Sequence, residues 1–308
     1  MAKVAFVFPG QGSQEVGMGR KVYEESAVAR AVFDAADAAL AEPLTLLCFE
    51  GPQEELVLTR NAQPAILTTS IALLRALDQR PDVAAGHSLG EYSAHVCAGT
   101  LALEDAVRLV RQRGMYMQEA VPVGEGAMAA VLGGERALVV QACEGTEGVV
   151  EAVNFNCPGQ IVIAGERGAV DRASERIRNT GAKVRNLPVS APFHSSLMRP
   201  AEERFRPHLE RAAFRDPDFA VYVNVDAAPV TTGAAARDAL IRQVSRAVRW
   251  EESIERMLDD DVGLFVEIGP GKALTGMLRR IDRDAKAVTV GAPEDLDAAR
   301  AAIAAQRG

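Results

Sequence analysis

The sequence predicts an α/β protein in which a parallel β-sheet is covered by helices on both faces and a smaller unit is inserted. Short apolar strands alternate with amphipathic helices toward both ends of the chain, which is the pattern of a parallel sheet. The middle of the chain instead follows the order strand, helix, strand, strand, helix, strand. A Gly-His-Ser-Leu-Gly segment stands between a predicted strand and a predicted helix. This is the context in which a nucleophile projects from the top of such a sheet.

The N-terminal part supplies the first strands of the sheet. A buried strand over residues 3–8 ends at a Pro-Gly-Gln-Gly-Ser-Gln loop, and a second strand leads into the glycine-rich turn within residues 83–90. We predict helices at about 21–41, 63–78, 91–97 and 103–118.

The middle of the chain predicts a separate small domain over residues 123–188. We expect strands at 126–132, 147–153, 160–164 and 182–188, helices at 135–143 and 168–180, and a turn at 156–159. That βαββαβ order is the one found in a ferredoxin-like unit.

Alternation of helices and strands resumes after residue 188. We expect helices near 195–211, 236–247, 251–259 and 272–283, strands at 262–267 and 286–290, and a final helix. The larger domain is therefore predicted to be discontinuous, with residues 1–122 and 189–308. Two such bodies would enclose a cleft, where ligand sites are common.

The composition excludes several classes of protein. The chain has 308 residues, 48% of them hydrophobic and 25% charged, which is ordinary for a globular protein with a sizeable core. No apolar run approaches the ~20 residues of a membrane helix and no signal-peptide pattern is present, so we expect a cytoplasmic protein without a membrane partner. A net charge of −8 argues against a nucleic-acid partner. The four cysteines lack the spacing of metal ligands, and we predict reduced thiols, no metal and no cofactor.

Ser88 is the candidate nucleophile. Gly86 and Gly90 have no Cβ atom, which lets a strand and a helix approach closely around a strained turn. Such a turn exposes the serine hydroxyl beside backbone N–H groups at a helix N-terminus, and those donors suit a developing oxyanion. The pentapeptide also occurs by chance in ordinary turns, so the prediction depends on the strand before it and the helix after it.

A serine hydroxyl needs a base to become nucleophilic, and the chain has four histidines. The side chain of His87 must diverge from that of Ser88 at a sharp turn, and His95 lies two helical turns away, roughly 10 Å along the axis. We predict that His208 is a solvated position on a charged helix. His194 remains, in a loop where the chain returns to the larger domain, although a helix-capping role is the alternative.

No carboxylate in the sequence pairs obviously with His194. A backbone carbonyl can orient a histidine instead and fix its tautomer, although it stabilises the imidazolium less. The loop at residues 10–14 contains two glycines and is a candidate source of a second oxyanion donor. A phosphate-binding nest is the alternative for that loop, but no Gly-Lys-Ser/Thr follows it.

A charged residue near the cleft would define the class of substrate. The predicted helix 103–118 has an apolar stripe that includes Met117, which we assign to the substrate pocket. Arg111 and Arg113 lie on opposite shoulders of the stripe, so the helical wheel does not choose between them. An inward arginine would suit a carboxylate, whereas spacing alone favours a surface position.

Six motifs spread along the chain occur together in a known enzyme family. They are Phe-Pro-Gly-Gln-Gly-Ser-Gln (8–14), Gly-His-Ser-Leu-Gly-Glu-Tyr-Ser (86–93), Arg-Gln-Arg-Gly (111–114), Asn-Phe-Asn-Cys-Pro-Gly-Gln (154–160), Ser-Ala-Pro-Phe-His-Ser (190–195) and Val-Glu-Ile-Gly-Pro-Gly-Lys (266–272). In this order, and over essentially the whole chain, they strongly resemble the malonyl-CoA:acyl-carrier-protein transacylases of bacteria. The resemblance implies an α/β-hydrolase-like core with an inserted ferredoxin-like subdomain.

The resemblance also implies a role for each candidate. Ser88 would be the acylated nucleophile, His194 the base, and Arg113 the group that binds the malonyl carboxylate. The backbone N–H groups of Gln11 and Leu89 would form the oxyanion hole.

Two further roles follow from the same resemblance. Gln243 would orient the histidine through its main-chain carbonyl, in place of an acid. Phe193, directly before that histidine, is similar to the residue found in malonyl-selective members and would line the substrate pocket.

The implied activity is transfer of a malonyl group from malonyl-CoA to the phosphopantetheine thiol of acyl carrier protein, by a ping-pong mechanism through malonyl-Ser88. We expect a monomer whose partners are malonyl-CoA and the carrier protein. Two alternatives stay open from the sequence. One is an acyltransferase that serves a polyketide synthase, and the other is a serine hydrolase of the same fold, which an inward Arg113 would disfavour.

Overall fold

Two separate β-sheets organise residues 2–189 and 191–308, which are the residues that the computed structural model describes. The six strands of the larger sheet are β1 Lys3–Phe8, β2 Val83–Gly86, β7 Val221–Val223, β8 Ala228–Val230, β9 Val262–Ile268 and β10 Lys286–Val290. The four strands of the smaller sheet are β3 Gly126–Leu132, β4 Val150–Cys157, β5 Gln160–Glu166 and β6 Lys183–Asn186.

The helices connect these strands and cover the sheets. They are α1 Arg20–Glu25, α2 Ala27–Leu40, α3 Leu44–Glu50, α4 Gln53–Leu56, α5 Thr59–Leu77, α6 Gly90–Cys97, α7 Leu103–Glu119, α8 Arg136–Glu144, α9 Arg167–Arg178, α10 Arg199–Arg211, α11 Gly233–Gln243, α12 Trp250–Asp259, α13 Ala273–Ile281 and α14 Leu296–Arg307. Two short 3₁₀ turns, Ser196–Met198 and Pro293–Asp295, precede α10 and α14.

The larger sheet is parallel except at one edge. Its strand order is β10-β9-β1-β2-β7-β8, and only the β7–β8 pair is antiparallel. All of β2, and all of β1 after Lys3, is buried, as expected for central parallel strands covered on both faces. The predicted parallel sheet is therefore confirmed. Strands β7 and β8 were not predicted, because three residues are too few to show a periodicity.

The smaller sheet is antiparallel, with the strand order β4-β5-β3-β6. Helices α8 and α9 pack on one face of it, where Val139, Val170 and Ile177 meet Ile161 and Ile163. The opposite face carries a second apolar cluster that contacts the loop after β6; its members are Met128, Val153, Val162, Ala164, Leu187, Val189 and Phe193. One face of the small sheet is thus covered by α8 and α9, and the opposite, apolar face packs against the loop that contains His194.

The largest error in the predicted boundaries of the small unit concerns its second strand. The prediction placed it at 147–153 with a turn at 156–159, whereas β4 runs from Val150 to Cys157 and the turn is confined to Pro158 and Gly159. The extension has a tertiary cause, because Phe155 N–H donates to the carbonyl of Val248, and Val248 N–H donates to that of Val153. A sequence pattern does not report such a distant backbone partner.

Two predicted helices are wrong at their boundaries for local reasons. The helix predicted at 21–41 is broken at Ser26, whose backbone is extended and whose side-chain Oγ caps α2 by accepting a hydrogen bond from Ala29 N–H. The helix predicted at 236–247 instead begins after Thr232, which caps it in the same way, and ends at Gln243. Helices α3 and α4 were not predicted. The other boundaries agree to within a few residues.

A glycine between β2 and α6 is required by the packing of the sheet. A Cβ atom on Gly90 would lie 2.0 Å from the carbonyl oxygen of Phe8 in the neighbouring strand. Gly276 of α13 is exposed, and a Cβ atom there would meet nothing within 4 Å.

We expect Gly90→Ala to lower the free energy of unfolding by about 1–3 kcal/mol or more, because backbone atoms have to move apart. Gly276→Ala should raise it by up to ~1 kcal/mol through helix propensity. Chemical denaturation of both variants measures the difference. Equal stability of Gly90→Ala and the wild type would contradict the close approach.

Candidate active site

Ser88 lies at the turn between β2 and α6, at the carboxyl end of the larger sheet. Its φ is +52°, a left-handed value that is costly for a residue with a side chain. A Cβ atom on Gly86 would lie 1.9 Å from the carbonyl carbon of Gly90, so the chain crosses itself closely here. The predicted strained turn is present, and the serine hydroxyl faces a cavity.

Asn224, in the loop after β7, hydrogen-bonds to two backbone groups of this turn. Its Oδ1 accepts a hydrogen bond from Ser88 N–H at 2.6 Å, and its Nδ2 donates to the carbonyl of Gly86 at 2.7 Å. The asparagine is fully buried. No sequence signal pointed to it, because it follows a strand that was itself not predicted.

His194 is the histidine that reaches the serine. Ser88 Oγ lies 2.7 Å from His194 Nε2, and His194 Nδ1 lies 2.9 Å from the main-chain oxygen of Gln243. With Nδ1–H donating to that carbonyl, Nε2 is left as the acceptor for the serine proton. The preceding motif residue Ser190 lies outside the described residues.

Burial decides the protonation state of this histidine. Only 4% of His194 is exposed. Burial, followed by the nearby positive charge of Arg113, lowers the pKa of His194 to about 3. The imidazole is therefore neutral and able to take a proton at physiological pH.

The other three histidines are held away from Ser88 Oγ. His87 Nε2 lies 2.8 Å from Asn156 Oδ1, and His95 is fully buried in α6 with its Nε2 4.0 Å from the Glu91 carboxylate. The prediction that His208 is a solvated surface position is wrong, because this partly buried residue bonds Tyr116 Oη at 3.0 Å. The pairing reflects the packing of α10 on α7, which the sequence did not reveal.

Arg113 points into the protein and toward the serine. It is 1% exposed, its Nη2 donates to Ser88 Oγ at 3.1 Å, and its Nη1 donates to Gln63 Oε1 at 2.9 Å. Arg111 lies on the other shoulder of α7, where its half-buried side chain pairs with exposed Glu42 and donates to Asn61 Oδ1 at 2.5 Å. The structure thus separates two arginines that the helical wheel left equivalent.

The partners of Arg113 are all neutral. Besides Gln63 and Ser88, its Nη2 donates to Gln243 Oε1 at 2.8 Å, and its Nε has no described partner. The face of Tyr92 lies 5.6 Å from the guanidinium carbon. A buried guanidinium without an adjacent carboxylate is costly, and this arrangement suits a site that receives an anion from solution.

Gln243 ends α11 and contacts Ser88, His194 and Arg113. Its main-chain oxygen faces His194, its Oε1 faces Arg113, and its Nε2 donates to the carbonyl of Ser88 at 3.0 Å. The boundary of α11 explains this reach, because a residue at a helix C-terminus has a main-chain carbonyl free of helical bonds.

Two residues whose backbone N–H groups have no described partner line the cavity beside Ser88. Gln11 lies in the loop after β1, and Leu89 is the residue at the start of α6. Within the described residues, neither main-chain N–H donates to another group. Gly12, with φ +105°, shapes the loop, and the side chain of Gln11 is held by Thr59 at 3.2 Å. Unpaired donors at these two places suit a negatively charged oxygen.

The cavity itself has a volume of about 560 Å³, within the usual range for a small-molecule site. Its polar end contains Ser88, His194 and Arg113, and its apolar walls include Met117 and Phe193. All eight site residues predicted from the sequence either line this cavity or, like Gln243, lie behind it. The functional residues that the sequence missed are Asn224, Gln63 and Glu91.

Two other kinds of site are absent from the described residues. None of their helices is long and apolar enough to cross a membrane. No three metal-ligating side chains lie close together among them. All four cysteines are free thiols.

Comparison with known proteins agrees with this site. A family model described as "Acyl transferase domain" matches residues 5–303. The chain is 48% identical to the malonyl CoA-acyl carrier protein transacylase of Bacillus subtilis over 97% of this chain and 96% of the relative. It is 47% identical to the enzyme of the same name from Escherichia coli K12, over 97% and 99%.

Solved structures give the same result. The acyl-carrier-protein S-malonyltransferase of Bartonella henselae superposes with a TM-score of 0.96 at 44% identity, covering 99% of this chain and 100% of that one. A malonyl-transacylase in complex with a type II PKS acyl-carrier protein superposes with a TM-score of 0.95 at 42% identity, covering 98% and 100%.

The fold and the serine–histidine site define the class, which is that of the acyl transferases. Within that class, the chain belongs to the family of malonyl CoA-acyl carrier protein transacylases.

The low pKa of His194 has a kinetic consequence. We expect the rate at which a fluorophosphonate modifies Ser88 to show no inflection from this base between about pH 5 and pH 8, because an imidazole with a pKa of about 3 stays neutral throughout. Mass spectrometry of the modified protein at a series of pH values measures the rate. A half-maximal fall near pH ~6.5, the value of an ordinary histidine, would contradict the burial argument.

Proposed function

We propose that the protein transfers a malonyl group from malonyl-CoA to the phosphopantetheine thiol of an acyl carrier protein, through a malonyl ester on Ser88. The single observation that carries this proposal is Arg113, which is buried beside the serine with its Nη2 3.1 Å from Ser88 Oγ and with neutral partners only. A free carboxylate one methylene away from the thioester carbonyl supplies the missing negative charge.

In the first half of the reaction, neutral His194 removes the proton of Ser88 while Oγ attacks the thioester carbonyl carbon. The carbonyl oxygen becomes an oxyanion, and the N–H groups of Gln11 and Leu89 stabilise it. When the intermediate collapses, the bond between carbon and sulfur breaks, and the proton on His194 passes to the CoA sulfur. The main-chain oxygen of Gln243 stabilises the transient imidazolium through Nδ1–H.

The second half repeats these steps with the carrier thiol. After CoA leaves, the phosphopantetheine thiol gives its proton to His194 and attacks the ester carbonyl of malonyl-Ser88. The oxyanion forms in the same place, and its collapse returns the proton to Ser88 Oγ. One base and one oxyanion site thus serve both acyl transfers, which is a ping-pong mechanism.

Specificity for a carboxylated acyl group follows from burial. A neutral acyl chain placed against Arg113 would leave the guanidinium desolvated and without a counter-charge. Hydrolysis of uncharged esters, the main alternative from another class, fits this site poorly for that reason. Met117 and Phe193 line the apolar walls of the cavity, where they would limit the size of the acyl group.

A polyketide acyl-carrier protein is a second candidate for the carrier that accepts the malonyl group. One structure that superposes on this chain is a malonyl-transacylase in complex with a type II PKS acyl-carrier protein. The chemistry is identical for a fatty-acid and a polyketide carrier. Comparing the second half-reaction with both kinds of carrier would separate the two roles.

We also interpret the architecture more finely. The core, residues 1–122 and 189–308, is α/β-hydrolase-like, and residues 123–188 form an inserted ferredoxin-like subdomain. The order βαββαβ between Gly126 and Asn186, and the strand order β4-β5-β3-β6, support this interpretation. A cytoplasmic location and a monomeric state remain predictions.

The acyl-enzyme is the first test. Mixing the protein with malonyl-CoA should add one malonyl group per chain, and Ser88→Ala should abolish the adduct because the hydroxyl that His194 activates is lost. Ser93→Ala is the matched control, since this buried serine of the same helix has a hydroxyl with no described partner and should leave the adduct unchanged. Intact-mass measurement decides, and an adduct on Ser88→Ala would contradict the proposed nucleophile.

The second test concerns selectivity. Arg113→Ala should lower kcat/KM for malonyl-CoA by the equivalent of roughly 2–5 kcal/mol. Its kcat/KM for acetyl-CoA should fall far less or rise. Arg111→Ala, on the same helix, should keep the wild-type ratio because that side chain lies on the other shoulder and pairs with exposed Glu42. The ratio of kcat/KM for the two thioesters measures the effect. Equal losses toward both thioesters in Arg113→Ala would make that arginine structural.

A further inference from the structure

Glu91 is a buried ionisable group that the proposed chemistry does not use. It lies in the first turn of α6, three residues after the serine, and is fully buried. Its Oε2 accepts two hydrogen bonds, from Asn224 N–H at 2.8 Å and from Gln243 Nε2 at 2.9 Å. Both partners reach back to the groups of the active site.

The bond to Gln243 fixes the direction of an amide. Gln243 Oε1 faces the guanidinium of Arg113, and Nε2 faces two acceptors, the Glu91 carboxylate and the carbonyl of Ser88. A half-turn of the amide would bring NH₂ against guanidinium N–H donors and oxygen against acceptors. Glu91 and the carbonyl of Ser88 therefore both favour the orientation in which Gln243 holds the arginine.

The bond to Asn224 supports the turn itself. With its N–H held by Glu91, this asparagine directs its side chain to Ser88 N–H and to the carbonyl of Gly86. One carboxylate oxygen thus supports both the residue that fixes the guanidinium and the residue that fixes the strained serine.

We propose that Glu91 is a positioning residue, whose Oε2 places the guanidinium of Arg113 for the malonyl carboxylate by orienting the amide of Gln243. The inference rests on the proposed function, because it concerns how the same site selects its substrate. If this inference holds, the position of the Oε2 oxygen is essential and the negative charge of Glu91 is dispensable.

The other oxygen of Glu91 shows why the charge is dispensable. Oε1 has no hydrogen-bond partner among the described residues and lies 4.0 Å from Nε2 of His95. Burial raises the pKa of Glu91 to about 7 and lowers that of His95 to about 3. A proton on Oε1, or the NH₂ of a glutamine side chain at this position, would face a neutral ring nitrogen and leave the Oε2 position free to accept.

Two conservative variants of Glu91 separate the position of its Oε2 oxygen from its negative charge. Glu91→Gln keeps the acceptor at the Oε2 position without the charge, whereas Glu91→Asp keeps the charge but withdraws the oxygen by one methylene. The measurement is the ratio of kcat/KM for enzyme acylation by malonyl-CoA and by acetyl-CoA, with thermal unfolding as a check of folding. Wild-type acylation by malonyl-CoA, run alongside, tests the proposed function independently.

We expect Glu91→Gln to keep the malonyl-to-acetyl ratio within about threefold of the wild type, and Glu91→Asp to lower it by about tenfold or more, as for a lost hydrogen bond to a charged network. Acetyl transfer by a folded Glu91→Asp should fall much less than malonyl transfer, because the Asn224 bond serves both thioesters whereas the guanidinium serves only the malonyl carboxylate; a general loss of structure would lower both equally. The reverse order, or two unchanged ratios, would overturn the inference.

Combination with Gln243→Met gives a second test that does not depend on the folding of the aspartate variant. This substitution removes the amide and keeps the main-chain carbonyl that faces His194. If Glu91 acts through the amide, Gln243→Met alone should lower the malonyl-to-acetyl ratio about as far as Glu91→Asp does, and adding Glu91→Gln should leave that lowered ratio unchanged. A further change in that ratio would mean that Glu91 acts by another route and would contradict the inference.

Discussion

The left-handed backbone of Ser88 is the constraint on which the site depends. A residue with a side chain adopts φ +52° at a cost of order 1–3 kcal/mol, so the surrounding structure has to impose it. Two glycines remove the Cβ atoms that would keep β2 and α6 apart, and Asn224 bonds both ends of the turn. The hydroxyl is thereby presented to His194 and to the guanidinium of Arg113 at once.

The proposed selectivity of Ser88 for a carboxylated acyl group has an electrostatic origin. Arg113 is buried against neutral partners, and the same charge, together with burial, keeps His194 neutral. The carboxylate of the proposed acyl group would neutralise the guanidinium without contacting the base. Glu91, the nearest anion in the network, is separated from Arg113 by the amide of Gln243 and leaves the guanidinium open to a ligand.

Only part of this site could be predicted from the residues alone. Ser88 and His194 were accessible because a glycine-rich turn has a strong local signature and because four histidines allow elimination. Arg113 and Gln243 needed the resemblance, since a helical wheel does not distinguish two shoulders and nothing local marks a main-chain acceptor. Asn224 was missed because its role depends on a three-residue strand and on contacts 136 residues apart in sequence.

On this account, the guanidinium of Arg113 binds the carboxylate of the acyl group. A crystal structure of the protein acylated by malonyl-CoA tests it directly. The account predicts a malonyl ester on Ser88 Oγ whose carboxylate oxygens lie about 2.7–2.9 Å from the guanidinium nitrogens of Arg113. A malonyl ester whose carboxylate faces the solvent, with Arg113 bonded only to Gln63 and Gln243, would contradict it.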